Sequence, residues 1–446
     1  MKRLTMVLGL LVPVLSFAQQ QPQKNQNWHL LSKDTDKVYG TNVIKAYNEL
    51  LKGKIPKTVV VAVLDGGIDT LHEDLSANLW RNAKELPGDK DVDGNGYKGD
   101  TQGWNFIGGP TGQVTKESTE YQRIYFKYKD QFANVTDETQ VKKKDLQNYK
   151  WWILSKSLLK KADTIAPVDY RGQQVKDDYT DIKDRFYGNA NLMGDPYFHG
   201  THVGGIIGAV RNNGKGMDGI ADAVKLMGVR VVPNGDEHDK DVALGIRYAV
   251  DNGAQIINMS FGKRISPDRK MVEDAIRYAE KKGVLLVNAA GNEGMDIDTY
   301  PHYPTPFFMK GGKKAANMIT VGASGSTEAG LIAPFTNYGK QTVDVFAPGV
   351  GIYATMPENK YSPLSGTSMA TPVVAGIAAL IKSYYPGLTA KQIKYIIEQT
   401  VTKIDIPVTK PKSGGQKVAM TELCKTGGIV NAYNALVMAD NMSKKN

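Results

Sequence analysis

The 446 residues exceed the roughly 100–200 typical of one domain, although single α/β domains run longer, and they suffice to bury a sizeable core. A lone cysteine, Cys424, excludes an intrachain disulfide framework. The formal net charge is +10, but the lysine clusters (Lys142-Lys143-Lys144; Lys410, Lys412 and Lys417) come without a zinc-finger, aromatic-stacking or basic-helix pattern. They read as solvated surface, and nucleic acid is not an expected partner.

Lys2 and Arg3 precede an apolar run over 4–17, and Ser16-Phe17-Ala18 closes it with small outer residues. This predicts a signal peptide over 1–18, cut after Ala18. An uncleaved anchor is the alternative, but the run falls short of the ~20 residues a span needs and Pro13 interrupts it. The expected product is exported, periplasmic or extracellular, with no stable membrane span after cleavage. Residues 19–57 form an N-terminal arm: a loose glutamine-rich stretch over 19–26, then Trp28, Leu30 and Leu31 ahead of a helix over 41–52 that buries Ile44, Ala46, Leu50 and Leu51.

From residue 58 onward the pattern changes. Thr58-Val59-Val60-Val61-Ala62-Val63-Leu64 is a continuous β-branched apolar run, the mark of a strand buried on both faces, and it ends at Asp65. Further strands are predicted at 225–229, 255–259, 284–289, 318–322 and 343–346. Between them, Asp239 can cap a helix carrying Val242, Ile246, Ala249 and Val250, and Ser266-Pro267 can open another that runs to Gly283. Alternating strands and helices predict an α/β fold: a mostly parallel twisted sheet with helices on both faces. In such sheets ligands bind beyond the carboxyl ends of the strands. Asp65, Ser260 and Asn292 all fall just past predicted strand ends.

At about 108–189 the rhythm stops. Tyr121, Ile124, Tyr125, Tyr128 and Phe132 are spaced for one helix face, and Leu146, Tyr149 and Ile153 for another after Asp137. This reads as an inserted helical hairpin, either a surface decoration or a lid or docking element. Just before it, Asp89, Asp91, Asp93 and Asn95 place side-chain oxygens at alternate positions, with Gly94 for the sharp turn and Asp100 closing the loop. That matches the EF-hand loop pattern with Asp at position twelve, so Ca2+ is the expected ion, against a solvated acidic turn.

Three polar islands carry chemistry. His199-Gly200-Thr201-His202 opens an apolar helix; His199 can project into a cleft, or the pair can ligate a metal. Asp65, at the end of a buried strand, needs a partner unless it merely forms a turn. Ser365-Gly366-Thr367-Ser368-Met369-Ala370-Thr371-Pro372 opens a helix lined by Val373, Val374, Ile377, Leu380 and Ile381. Ser368 is either a helix cap or a nucleophile at a helix N-terminus, where partial positive charge suits an anion. Asn292, in Ala289-Ala290-Gly291-Asn292-Glu293-Gly294, is either a turn asparagine or an amide donor. The C-terminal part reads as helical, with Thr389 capping a helix lined by Ile393, Ile396 and Ile397.

Together, the Asp65, His199, Asn292 and Ser368 motifs resemble those of the subtilisin-like (subtilase) serine peptidases, in the family's order Asp, His, Ser. The resemblance covers residue 58 to the C-terminus apart from the insert. It implies a three-layer subtilisin-like fold with a helical insertion, and a peptidase domain over 58–446. It also implies a secreted endopeptidase acting on proteins or peptides through an acyl-enzyme. Ser368 is then the nucleophile, His199 the general base and acid, and Asp65 its orienting carboxylate; Asn292 and the Ser368 N–H form the oxyanion hole. Ser260, Phe261 and Gly262 resemble the edge that pairs with substrate, and Ala289, Ala290 and Gly291 the opposing pocket wall. Asp74 and Asn213 resemble a second calcium site. A catalytically silent peptide-binding member is the rival; a lipase would place its serine in Gly-x-Ser-x-Gly. Two departures stand out. The interval from Asp65 to His199 is long, and the arm looks too short for a folding propeptide, which favours a structural arm.

Overall fold

The computed structural model describes residues 26–110, 112–159 and 165–444. The expected signal peptide lies outside the described residues. Among those residues, no helix is long and apolar enough to cross a membrane.

A nine-stranded sheet organises the chain. Its strands are β1 (Val59–Asp65), β2 (Gly103–Asn105), β3 (Val224–Arg230), β4 (Ile256–Met259), β5 (Leu285–Ala289), β6 (Met318–Ser324), β7 (Val345–Pro348), β8 (Thr402–Lys403) and β9 (Gly428–Ile429). The spatial order is β8-β9-β7-β6-β5-β4-β1-β3-β2. Every pairing is parallel except that of β8 with β9. The helices are α1 (Glu120–Phe132), α2 (Leu146–Leu158), α3 (Tyr197–Gly208), α4 (Asp239–Asp251), α5 (Arg269–Lys282), α6 (Thr367–Tyr384), α7 (Ala390–Gln399) and α8 (Ala432–Ser443). The chain is thus the α/β sheet with helices that the strand pattern predicts.

The layers follow from side-chain alternation. Val59, Val61 and Val63 of β1 enter a core shared with Val203, Ile206, Val373, Ile377 and Ala435, from α3, α6 and α8. Ala62 and Leu64 of the same strand enter the opposite core, with Ile246 of α4 and Ile276 of α5. That is why β1 is apolar at every position up to Asp65 rather than at alternate ones. The arm joins the first core through Trp28, Leu30, Val43, Ala46 and Leu51. Its helix is shorter than the predicted 41–52: an α-turn at Val43–Ala46 runs into a π-turn at Tyr47–Leu51, and Ile44 and Leu50 are only partly buried.

Two helix starts differ from the prediction. α5 begins at Arg269, not at Ser266-Pro267. Asp239 does not cap its own helix; its carboxylate accepts from Asp268 N at 2.8 Å and Ser266 Oγ at 3.0 Å, at the start of α5. Thr389 does cap α7, in a reciprocal box with Gln392. In the 108–189 segment, α1 and α2 pack through Phe132, Tyr149 and Trp152. Trp152 takes the inward place expected of Ile153, which is 43% exposed, because α2 starts at Leu146 and its inner face is one residue out of the predicted phase.

Ile377 lies in the middle of α6 with no exposed surface. We expect Ile377→Ala to lower unfolding stability by about 2–5 kcal/mol, the usual cost of such a truncation in a close-packed core, read by urea denaturation with an unchanged m-value.

Candidate active site

Asp65 closes the central region of the sheet and is 2% exposed. His199 lies on the first turn of α3, and its Nδ1 is 2.8 Å from Asp65 Oδ1 and 3.0 Å from Oδ2. A carboxylate can only accept, so Nδ1 carries the proton and Nε2 is free when the ring is neutral. Gly66 N donates to the same Oδ1 at 2.7 Å. Burial works against the charged ring, but the charge and hydrogen bond of Asp65 outweigh it and raise the His199 pKa above its ordinary 6.5. His202 takes a different partner, the Ser362 carbonyl at 3.0 Å, and burial pushes its pKa down to about 4. The His-x-x-His pair is therefore not a shared metal site.

Ser368 is the second residue of α6. The helix contains Pro372, which has no N–H to offer the Ser368 carbonyl four residues earlier. Ser260 Oγ donates to that carbonyl instead, at 2.9 Å, and Ser368 Oγ donates in return to the Ser260 carbonyl, at 2.9 Å. Among the described residues, no hydrogen bond joins Ser368 Oγ to His199. Asn292 Oδ1 accepts from Thr367 N at 2.9 Å and Thr367 Oγ1 at 3.0 Å, which fixes the amide and leaves its Nδ2 unpartnered among the described residues. A Cβ on Gly366 would lie 3.6 Å from Ser368 N and 3.7 Å from Asn292 Nδ2, so both donors border one small space.

A cleft of about 580 Å³ is lined by Asp65, His199, Phe198, Val232, Ser260 and Phe261 among others. The backbone N–H groups of Phe261 and Gly262 have no partner among the described residues. Ala289 and Ala290 are buried at the end of β5, and Gly291 N donates to Thr367 Oγ1 at 3.2 Å. Of the residues singled out from sequence, Asp65, His199, Asn292, Ser368, Ser260–262 and 289–291 all gather at one sheet edge. Sequence reading missed Ser260 Oγ as the partner of the Ser368 carbonyl; the proline four residues after the serine was the available signal.

The acidic loop folds differently from the EF-hand expectation. The carboxylates that converge are Glu85, Asp93 and Asp100, with ligand oxygens within 4.8 Å of one another. Asp89 is exposed and outside the group. Asp91 is spent on the loop itself, accepting from Gly94 N, Asn95 N and Gly96 N. Asn95 Nδ2 donates to Asp100 Oδ2 at 3.0 Å, and Asn82 Nδ2 to Asp93 and Asp100 at 2.9 and 3.1 Å. Glu85 precedes the twelve-residue window, so the pattern could not include it. No lysine or arginine pairs with the three carboxylates among the described residues. A hard cation with oxygen ligands fits that donor set. Asp74 and Asn213 meet each other, Asn213 Nδ2 donating to Asp74 Oδ1 at 2.6 Å; burial raises the Asp74 pKa.

The family model described as the subtilase family matches residues 56–422. Thermitase from Thermoactinomyces vulgaris is 41% identical over 207 residues, covering 46% of this chain and 68% of thermitase. A thermostable alkaline protease of Halalkalibacterium halodurans is 40% identical over 210 residues, covering 47% of this chain and 54% of the relative. The chain therefore spans about half the length of the latter. A solved protease from Pseudoalteromonas arctica PAMC 21717 shares the fold at a TM-score of 0.54 and 24% identity, over 94% of this chain and 98% of that one.

Asp65 is expected to set the His199 titration. Followed by NMR of the ring nitrogens, His199 should titrate above 6.5 in the native chain. In Asp65→Asn the charge is gone, so the midpoint should fall; an unchanged midpoint would show that Asp65 does not control it.

Proposed function

The chain belongs to the subtilase family, and on that premise we propose that it is an exported serine endopeptidase that hydrolyses proteins through an acyl-enzyme. The observation that carries the reading is the His199–Asp65 pair, 2.8 Å apart, in a cleft that Ser260 also lines, with Ser260 hydrogen-bonded to Ser368 at the start of a buried helix. Ser368 is the nucleophile. Its hydroxyl turns about χ1 from the Ser260 carbonyl toward His199 Nε2, an adjustment in keeping with catalytic hydrogen bonds that tighten only in the substrate complex. His199 takes the hydroxyl proton as Oγ adds to the scissile carbonyl, and Asp65 stabilises the imidazolium. Asn292 Nδ2 and Ser368 N–H receive the oxyanion. His199 then gives its proton to the leaving amine, and water repeats the cycle in reverse to free the acid. The unpartnered N–H groups at Phe261 and Gly262 suit a substrate strand added along that edge.

The proton balance has a sign. A folded pKa above the unfolded one means the His199–Asp65 ion pair stabilises the fold at acid pH and loses that contribution as pH rises through the raised pKa. General-base action needs the neutral ring, so turnover should grow across the same window.

Calcium is proposed as a structural ion at Glu85, Asp93 and Asp100, where it would neutralise three crowded carboxylates. An ion bound only by the native state stabilises it, by ~2.7 kcal/mol at a hundredfold excess over Kd. The Asp74–Asn213 pair is the weaker of the two expected positions, since it offers one carboxylate where the other site gathers three.

Three outcomes are expected. Ser368→Ala should abolish casein hydrolysis with the melting temperature kept; residual full activity would end the nucleophile assignment, and a native chain that binds casein without cutting it would favour the silent peptide-binding rival. Asn292→Ala should lower kcat by ~10²–10³, the loss typical of an oxyanion-hole amide. Chelator should lower the melting temperature of the native chain but not of Asp100→Asn, and a native chain indifferent to chelator would remove the calcium claim.

A further inference from the structure

Two glycines meet the same Nδ1–Cε1–Nε2 edge of one imidazole. A Cβ built on Gly262 would lie 2.2 Å from His302 Cε1 and 2.8 Å from Nδ1; one built on Gly291 would lie 2.7 Å from His302 Nε2. Gly262 follows β4 and Gly291 follows β5, two adjacent parallel strands whose continuations flank Ser368. The first continuation is tied to Ser368 by the reciprocal Ser260 bonds, the second to Thr367 through Gly291 N and Asn292. In the proposed mechanism the oxyanion lies between Asn292 Nδ2 and Ser368 N–H, which directs the side chain of the residue that donates the acyl group between these two walls. His302 stands between them. It is 6% exposed, and its Nδ1 has no partner.

We propose that His302 closes this pocket from below, so that the enzyme selects peptides with a short side chain (Gly, Ala or Ser) on the acyl side of the scissile bond. The proposal rests on the serine-peptidase reading and names its substrate class. One edge of the ring lies against both walls, so it blocks the space where they converge. It is held in place: the next residue, Tyr303, exchanges two backbone hydrogen bonds with Lys263, at 2.9 and 2.8 Å. At the Nε2 edge the carboxylate of Glu293 stands equally close to the Gly291 position, 2.7 Å from the same built Cβ, and Asn337 Nδ2 anchors it at 2.5 Å. A leucine or phenylalanine side chain would have to displace a ring pinned on both sides. Close packing makes that costly even for one or two extra methylenes. A methyl or hydroxymethyl group stops short of it.

The test uses the full chain and two internally quenched peptides that differ only in the acyl-side residue, alanine or phenylalanine. The native enzyme should cut the alanyl peptide at least tenfold more efficiently in kcat/KM. His302→Gly should reduce that preference at least tenfold. Equal cutting of both peptides by the native enzyme, or an unchanged preference in folded His302→Gly, overturns the proposal. Should the variant not fold, the native enzyme's cuts in a random peptide library decide. New C-termini rich in Gly, Ala and Ser support the pocket, and termini rich in Phe, Tyr and Leu overturn it. Casein hydrolysis that Ser368→Ala abolishes, together with a phenylalanine preference, defeats only the pocket. No casein hydrolysis by the native enzyme defeats the serine-peptidase reading as well.

Discussion

A carboxylate buried at the end of a central strand is the constraint from which the active-site architecture follows. Left unpaired, Asp65 would cost several kcal/mol. Two donors satisfy it, Gly66 N and His199 Nδ1. To bring His199 there, α3 must nearly touch the turn after β1. Gly200 is the residue at the crossing: a Cβ on it would lie 2.0 Å from the Gly67 carbonyl and 3.0 Å from Asp65 Cβ. The helix packs as closely on its other side, where a Cβ on Gly205 would lie 2.1 Å from Thr355 Oγ1. The small residues of α3 are thus the condition for the Asp65–His199 contact.

The serine is placed by a second and separate device. Pro372 removes one rung from the first turns of α6, and the freed Ser368 carbonyl is bound by Ser260 from the end of β4. One proline therefore locks a helix start onto a strand end. Because β4 and β5 are neighbours in the sheet, the same lock sets Ser368 between the Ser260–Gly262 edge and the Ala289–Gly291 wall. The helix N-terminus contributes its own field, and its free N–H groups favour a developing anion.

The 108–189 segment has a small aromatic core of its own and is fastened to the sheet by Val114, Val175 and Tyr187, which enter the shared core, and by buried charge. Arg171 pairs with Asp177 and Asp241, each at 2.7 Å, and Lys263 with Glu120 at 2.7 Å and Asp239 at 3.0 Å. Arg230, without exposed surface, donates to the carbonyls of Gly66, Val114, Gly194 and Asp195. Such contacts add little net stability over apolar packing, but each is strongly directional. They bind the insert to the turn after Asp65 and to Lys263, next to Gly262. The hairpin is therefore continuous with the Ser260–Gly262 edge.

What the sequence by itself determined is whatever depends on near neighbours. The β-branched run over 58–64 announces a strand buried on both faces, because both faces are covered and no polar alternation is needed. Asp65, His199, Asn292 and Ser368 are legible because each stands at a strand end or helix start, where local pattern and chemistry coincide. Tertiary structure decided the rest. It put Glu85 rather than Asp89 beside Asp93 and Asp100, gave the α5 start to Asp239, and turned Trp152 inward in place of Ile153. It also set His302 between Gly262 and Gly291, a meeting that no spacing in the chain foretells. Periodicity records how a segment presents its own side chains, whereas these contacts depend on where distant segments return, and that is settled only when the whole core closes.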